Sequence, residues 1–117
     1  MKSEFQGSLL RIHFGESDRW QGKPLHEAIV AKCRELGIAG ATVFRGIEGY
    51  GTSTTIRQPS LWTFSRDAPI MMTIIDTEEQ IRRLIPELDA MVQEGLVVVS
   101  RVEVIRYSPA PAPDGSS

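Results

Sequence analysis

Residues 70–92 have the sequence IMMTIIDTEEQIRRLIPELDAMV, in which a short apolar run leads directly into an amphipathic segment. Ile70 to Asp76 is apolar at alternate positions on both faces, which predicts a strand with two largely apolar surfaces. Thr77 precedes Gln80 by three residues, the spacing of a capping box, and therefore predicts the start of a helix. The apolar stripe of this helix predicts its buried side: Ile81, Leu84, Ile85, Leu88, Met91 and Val92.

The segments before and after this strand–helix unit repeat the same two periodicities. Residues 8–14 and 41–45 alternate like strands, and residues 96–107 form a long β-branched run. After a polar loop at residues 15–24, a helix is predicted over residues 25–36, with Cys33 on its buried stripe.

This order of elements predicts an α+β fold. Strand, helix, strand, strand, helix, strand is the ferredoxin-like βαββαβ sandwich, a four-stranded antiparallel sheet with two helices on one face. We expect one domain over residues 1–107 with a long loop at 47–69, followed by a disordered Pro- and Ser-rich tail at 108–117. The last strand is apolar on both faces, so we expect an oligomer whose subunits cover the helix-free face.

Composition excludes several classes of protein. The 117 residues carry a net charge of −2, with 13 basic and 15 acidic side chains, which argues against nucleic-acid binding through a broad cationic surface. No apolar run is long enough to span a bilayer, and a single cysteine cannot form an internal disulfide, so we expect a cytoplasmic protein without membrane insertion. The Cys and His spacing predicts no metal site. No nucleophile, base and orienting group form a recognisable set, so we expect no enzymatic activity.

The glycine-rich stretch after the second strand is the main candidate for a ligand site. Gly46, Gly49 and Gly51 form the pattern G-x-x-G-x-G, which suits either close backbone approach to an anion or simple chain bending. Arg45 precedes them, and a guanidinium there suits a phosphate, a carboxylate or an ion pair at a subunit interface.

Other candidate residues also allow more than one interpretation. Lys23 suits either an anion contact or a solvated surface position, and Arg101 and Arg106 each suit a ligand contact, an interface pair or a solvent-exposed edge. In the loop, Tyr50 is a candidate partner contact because aromatic residues dominate interface hot spots, and we add Arg57 for the same role.

Four segments together resemble domain of unknown function 190, a family related to the PII signal-transduction proteins: GESDRWQGKPL (15–25), ATVFRGIEGYG (41–51), DAPIMMTIIDTEEQIRRLIPELD (67–89) and EGLVVVSRVEVIRY (94–107). The resemblance implies a homotrimer with inward-facing sheets and a long effector loop. It also implies small effectors, possibly adenine nucleotides, in inter-subunit clefts near Arg45, Gly46, Gly49 and Gly51, with Lys23 or Arg101 opposite. The acidic turn at residues 93–96 departs from the Gly-Lys turn of PII proteins and weakens the case for a triphosphate.

The resemblance therefore implies a trimeric regulator that signals through the 47–69 loop. Family members are often encoded beside a fluoride exporter, which implies a membrane transport protein as partner. Two alternatives stay open: a protein-interaction module without a small ligand, and a metal-tolerance-type trimer, which would need His13 or His26 at a three-fold interface.

Overall fold

The computed structural model of this chain describes residues 1–48 and 67–109. Within them lie six strands and two helices: β1 (Lys2–Gly15), β2 (Arg19–Trp20), β3 (Lys23–Pro24), α1 (Leu25–Glu35), β4 (Ala41–Arg45), β5 (Pro69–Thr77), α2 (Glu78–Met91) and β6 (Leu96–Tyr107).

The four long strands form one antiparallel sheet in the order β4-β5-β1-β6. β1 is central, pairing with β5 from Gly7 to Gly15 and with β6 from Lys2 to His13. One face of this sheet packs on both helices in a single buried core, with Leu10, Ile12, Met72 and Ile74 at its centre. The predicted ferredoxin-like arrangement is therefore confirmed.

The first strand is longer than the sequence predicts. It begins at Lys2 rather than Ser8, because Lys2 to Gln6 pair with Tyr107 to Glu103 at the far end of β6. These residues extend past the end of β5 as a two-stranded ribbon, and their polar character hides the strand from a periodicity argument. The ribbon lengthens the helix-free face beyond the four-stranded sheet.

The segment at 15–24, which the sequence predicts as a plain polar loop, contains a small hairpin. β2 and β3 pair Arg19 with Pro24 and Trp20 with Lys23. Gln21 and Gly22 between them have φ values of 50° and 81°. Positive φ at both central residues is what a type I′ turn requires.

α1 and α2 are joined by hydrogen bonds as well as by the packing of the core. Thr77 caps α2 as predicted, since its hydroxyl accepts a hydrogen bond from the Gln80 N–H at 3.2 Å. Gln80 and Arg83 also donate to the carbonyl of Leu36 at the end of α1, at 3.2 and 3.1 Å. Cys33 is buried as expected, and desolvation raises the pKa of its thiol to about 11.

The turn from α2 to β6 approaches the central strand so closely that only glycine fits. A Cβ at Gly95 would collide with the backbone carbonyl of His13, and β1 cannot move because it is paired on both sides. We therefore expect Gly95→Ala to lower the free energy of unfolding by about 1–3 kcal/mol, the usual cost of overpacking. Urea denaturation measures this loss. Gly40→Ala is the control, because a Cβ there meets nothing within 4 Å; equal losses in both variants would contradict the close approach.

Candidate functional site

The end of β4 is joined to the turn after β1 by an ion pair. Arg45 Nε lies 2.7 Å from Glu16 Oε2, and Arg45 Nη2 lies 3.2 Å from Glu16 Oε1. This is the two-point geometry that a guanidinium forms with a carboxylate. Arg45 thus has an anionic partner within its own chain.

The same turn also holds the start of β5. The Ser17 N–H and hydroxyl both donate to Asp67 Oδ1, at 3.1 and 2.8 Å. The Glu16 N–H donates to the Ala68 carbonyl at 2.8 Å, and the Gly46 N–H donates to the Pro69 carbonyl at 2.7 Å. Residues on both sides of the segment 47–66 are therefore fixed to one another by Glu16 and Ser17. We call this set of contacts the loop-base clamp.

The electrostatics of the clamp favour its charged form. The hydrogen bonds from Arg45 lower the pKa of the Glu16 carboxyl below its ordinary value of 4.5. Hydrogen bonding to Glu16 in turn raises the pKa of the Arg45 guanidinium. The Arg45 side chain remains 57% exposed, so an anion from solution can reach it.

A groove lies at the other end of β4, on the helix-free face. Its volume is about 550 Å³. It is lined by the loop before β4, by neighbouring positions of β4 and β5, and by the far end of β6: Ala39, Gly40, Ala41, Thr42, Thr73, Ile75, Val104, Ile105, Arg106 and Tyr107.

The groove combines apolar walls with a few polar groups. Thr42 and Thr73 are direct cross-strand partners and supply two adjacent hydroxyls. The Arg106 guanidinium stacks over the Phe5 ring, 5.4 Å from its centroid, and provides a positive charge. The buried Asp76 carboxylate fixes the loop at the rim by accepting the Ala39 N–H at 2.9 Å. Such a site suits a ligand with an apolar body and an anionic group.

The groove and the loop-base clamp belong to different regions of the subunit. Thr42 and Arg45 are three residues apart in β4, roughly 10 Å along a strand. They also lie on opposite faces of the sheet, because Thr42 pairs with Thr73 on the helix-free side whereas Arg45 pairs with the buried Ile70. One chain therefore cannot bring both to the same small ligand.

Among the other predicted residues that the structure describes, Gly46 lies beside Arg45, whereas Lys23 and Arg101 lie elsewhere. Lys23 lies in the β2–β3 hairpin, and Arg101 lies on β6, at the opposite edge of the sheet from β4. Gly46 lies in the clamp, where an added Cβ would be 2.7 Å from Pro69 Cγ. Gly49, Tyr50, Gly51 and Arg57 lie outside the described residues.

Sequence reasoning missed Glu16, Thr42 and Thr73, whereas Arg106 was considered for a ligand contact among other roles. A sequence signal was available for Thr42 and Thr73, because each is a polar residue within an otherwise apolar strand. The pairing of the two strands then places the two threonines side by side. Glu16 carried no comparable signal, because its partner Arg45 is 29 positions away and the pairing depends on the fold.

The sequence profile of domain of unknown function 190, described as an uncharacterized ACR, matches residues 7–104. The chain belongs to this family. A UPF0166 protein of Aquifex aeolicus (strain VF5) is 39% identical over 97 residues, covering 83% of this chain and 91% of that protein. A UPF0166 protein of Methanocaldococcus jannaschii is 28% identical over 102 residues, covering 86% and 94%.

Solved structures agree on the fold. CPII from Thiomonas intermedia K12, a nitrogen regulatory PII-like protein, matches in its complex with ADP, AMP and bicarbonate with a TM-score of 0.62 at 22% identity, covering 87% of this chain and 91% of CPII. Its apo form matches with a TM-score of 0.59 at 19% identity, covering 92% and 100%. This member of the domain of unknown function 190 family therefore has a PII-like version of the ferredoxin-like fold.

The structure also bears on the sequence-based expectations about membrane insertion and metal binding. Within residues 1–48 and 67–109, neither helix combines the length and the apolar character needed to cross a bilayer. In the same ranges, no three His, Cys, Asp or Glu side chains form a group that could hold a metal ion. His13 is on the central strand and His26 is on α1, so one chain does not bring the two imidazoles to a common face.

The loop-base clamp should make stability depend on pH in the acid range. The pKa of Glu16 is lower in the folded protein, so its contribution is complete above about pH 4.5 and is lost as the pH falls through the folded-state value. We expect the free energy of unfolding to fall more steeply in the wild type than in Glu16→Gln between about pH 6 and pH 3. Denaturant titrations at a series of pH values measure the difference.

Arg45→Gln serves as the matched variant, because it removes the same ion pair by replacing the guanidinium instead of the carboxylate. Its acid dependence should equal that of Glu16→Gln. An unchanged slope in both variants would show that the pair contributes nothing to folding.

Proposed function

We propose that this protein is a cytoplasmic, trimeric PII-like regulator that binds a small anionic effector in clefts between subunits. One observation carries the proposal: the groove and the loop-base clamp lie at opposite ends and on opposite faces of β4. In the proposed arrangement, a single chain supplies only part of each effector site: its groove to one site and its clamp to another. An arrangement in which the groove of one subunit faces the clamp of the next completes both halves.

Self-association is supported by the helix-free face. Apolar side chains on it are half-exposed, with Phe44 at 48%, Leu96 at 49% and Val98 at 41%. No helix among the described residues covers this surface, and large exposed apolar patches mark interaction sites. The number three rests on the PII-like resemblance rather than on the geometry of one chain.

Adenine nucleotides are the first effectors to consider. CPII was solved with ADP and AMP, and the groove offers apolar walls for a planar base, the hydroxyls of Thr42 and Thr73, and the Arg106 guanidinium for a charged group. The turn between α2 and β6 carries Glu94 where PII proteins have a basic residue. This favours a mono- or diphosphate over a triphosphate.

The clamp supplies two states for a regulatory switch. Without effector, Arg45 is bound to Glu16; with effector, an anion in the cleft competes with the Glu16 carboxylate for the same guanidinium. Binding then has different free energies in the two states, which is what a ligand needs in order to shift an equilibrium. The segment from 47 to 69 is held at both ends by the clamp and transmits the change to a partner, for which we propose a membrane transport protein.

A protein-interaction module without a small ligand is the second candidate. The specific observation in its favour is that Arg45 already forms a two-point ion pair with Glu16 in its own chain. In that case the clamp is permanent and the segment between its ends is a constant docking surface. The two candidates differ in whether Glu16 competes with an effector.

Calorimetry with AMP, ADP, ATP and simple anions tests the effector. We expect AMP or ADP to bind more tightly than millimolar, and Arg106→Ala to weaken binding by about tenfold through loss of a charge-assisted hydrogen bond. Glu16→Gln should tighten binding, because it removes the competing carboxylate. Arg34→Ala, at an exposed position of α1, is the control and should bind like the wild type. If none of the compounds binds below millimolar concentration, the interaction-module candidate replaces the regulator.

The oligomer is tested by sedimentation equilibrium or light scattering. We expect a trimer for the wild type and dissociation to folded monomers for Val98→Arg, because the new charge enters the helix-free face directly opposite Arg11. Ala31→Arg is the control, since it adds the same charge at an exposed position of α1. A Val98→Arg protein that stays trimeric would contradict the use of this face.

A further inference from the structure

The helix-free face is positively charged as well as apolar. Strand register assigns its positions, because cross-strand partners share a face and neighbours along a strand alternate. In the described part of the chain, this face carries Arg11, His13 and Arg106 but no Asp or Glu. The acidic side chains lie instead on the helices, on the opposite surface of the sheet, or in the turns and chain segments beyond the strands.

Arg11 is at the centre of this face. It lies on the central strand, between Thr73 of β5 and Val98 of β6, and it is exposed. Leu9 and His13 flank it on the same face of β1. It makes no hydrogen bond or ion pair with any residue in 1–48 or 67–109. Arg106 differs, because it stacks over Phe5 at the edge of the groove.

Covering this face with a second copy creates an electrostatic problem. Identical faces bring like charges together and remove water from them, and an arginine that loses water needs an anionic partner. The face itself supplies none. The segment 49–66 has no acidic residue either, with Arg57 and Arg66 as its charged side chains. Residues 110–117 carry one acidic side chain, Asp114, and neither the face nor the segment 49–66 supplies the missing counter-charge.

We propose that Arg11 side chains from facing subunits bind a small inorganic oxyanion, of the phosphate or sulfate type, inside the assembled protein. This inference rests on the proposed oligomer and adds a second anion site beside the groove, with which it shares Thr73. The planar guanidinium suits the oxygens of a tetrahedral oxyanion, and the Thr73 hydroxyl directly opposite Arg11 is a second donor. The anion then bridges subunits, so it binds the assembly and not the separated chain.

The test measures the subunit dissociation constant by sedimentation equilibrium in phosphate, sulfate and chloride at matched ionic strength. We expect phosphate or sulfate to tighten the wild-type assembly by at least about tenfold relative to chloride, because binding to the assembled form alone shifts the equilibrium by mass action. Arg11→Leu should assemble at least as tightly in chloride as the wild type does, and should not respond to the oxyanions.

Three controls separate the possible origins of an effect. Arg11→Lys keeps the charge and should keep part of the response, which confirms that the charge and not a packing change is responsible. Arg34→Ala removes a positive charge from an exposed position of α1 and should keep the full response. Circular dichroism of each variant confirms that it is folded.

The outcomes distinguish this site from the proposed function. A wild-type assembly that is indifferent to oxyanions, or an Arg11→Leu protein that still responds to them, overturns the Arg11 site and leaves the trimeric regulator intact. A wild-type chain that is monomeric in every buffer overturns both.

Discussion

The fold is dominated by an imbalance between one sheet and one layer of helices. α1 and α2 bury Leu10, Ile12, Met72 and Ile74 on one side of the sheet, and nothing equivalent covers the other side within the described residues. Apolar surface of this kind is costly in water and drives association. The groove, Arg11 and the paired threonines all lie on that uncovered side. Whatever covers this face therefore also determines how the groove is completed and how Arg11 is neutralised.

The turn after β1 has a second organising role, because it connects three parts of the chain that are far apart in sequence. Glu16 binds Arg45 and the backbone at Ala68, and Ser17 binds Asp67. The position of this turn is in turn fixed by β1, which is paired on both sides. The ends of the segment 47–66 are thus attached to a turn that follows a strand paired on both sides, while the groove is built on β4, β5 and the far end of β6.

Features set by neighbouring residues were predictable from sequence, and features set by distant ones were not. The start of α2 was predicted because the Thr77 cap and its Gln80 partner are three residues apart. The start of β1 was missed because Lys2 pairs with Tyr107, and no local periodicity records that pairing. The β2–β3 hairpin was missed because two-residue strands are too short to show alternation. For the site, Arg45 was identified from its place before a glycine-rich stretch, whereas its partner Glu16 emerged only when the fold brought the two together.

The exposed ion pair between Arg45 and Glu16 fits a switch better than a permanent scaffold. A surface ion pair contributes little to stability, because water and salt screen both charges. The anchorage next to it is of a different kind, since Ala68 and Ile70 are buried in or beside the core and cannot be displaced by a solute. A chain that needed only a fixed segment would gain more from extending such burial than from adding a screened pair. In the proposed regulator, an anion entering a drier cleft between subunits would meet Arg45 at a lower effective dielectric constant and would compete with a carboxylate that remains in contact with water. The weakness of the pair is therefore the property that the proposed exchange with an effector requires.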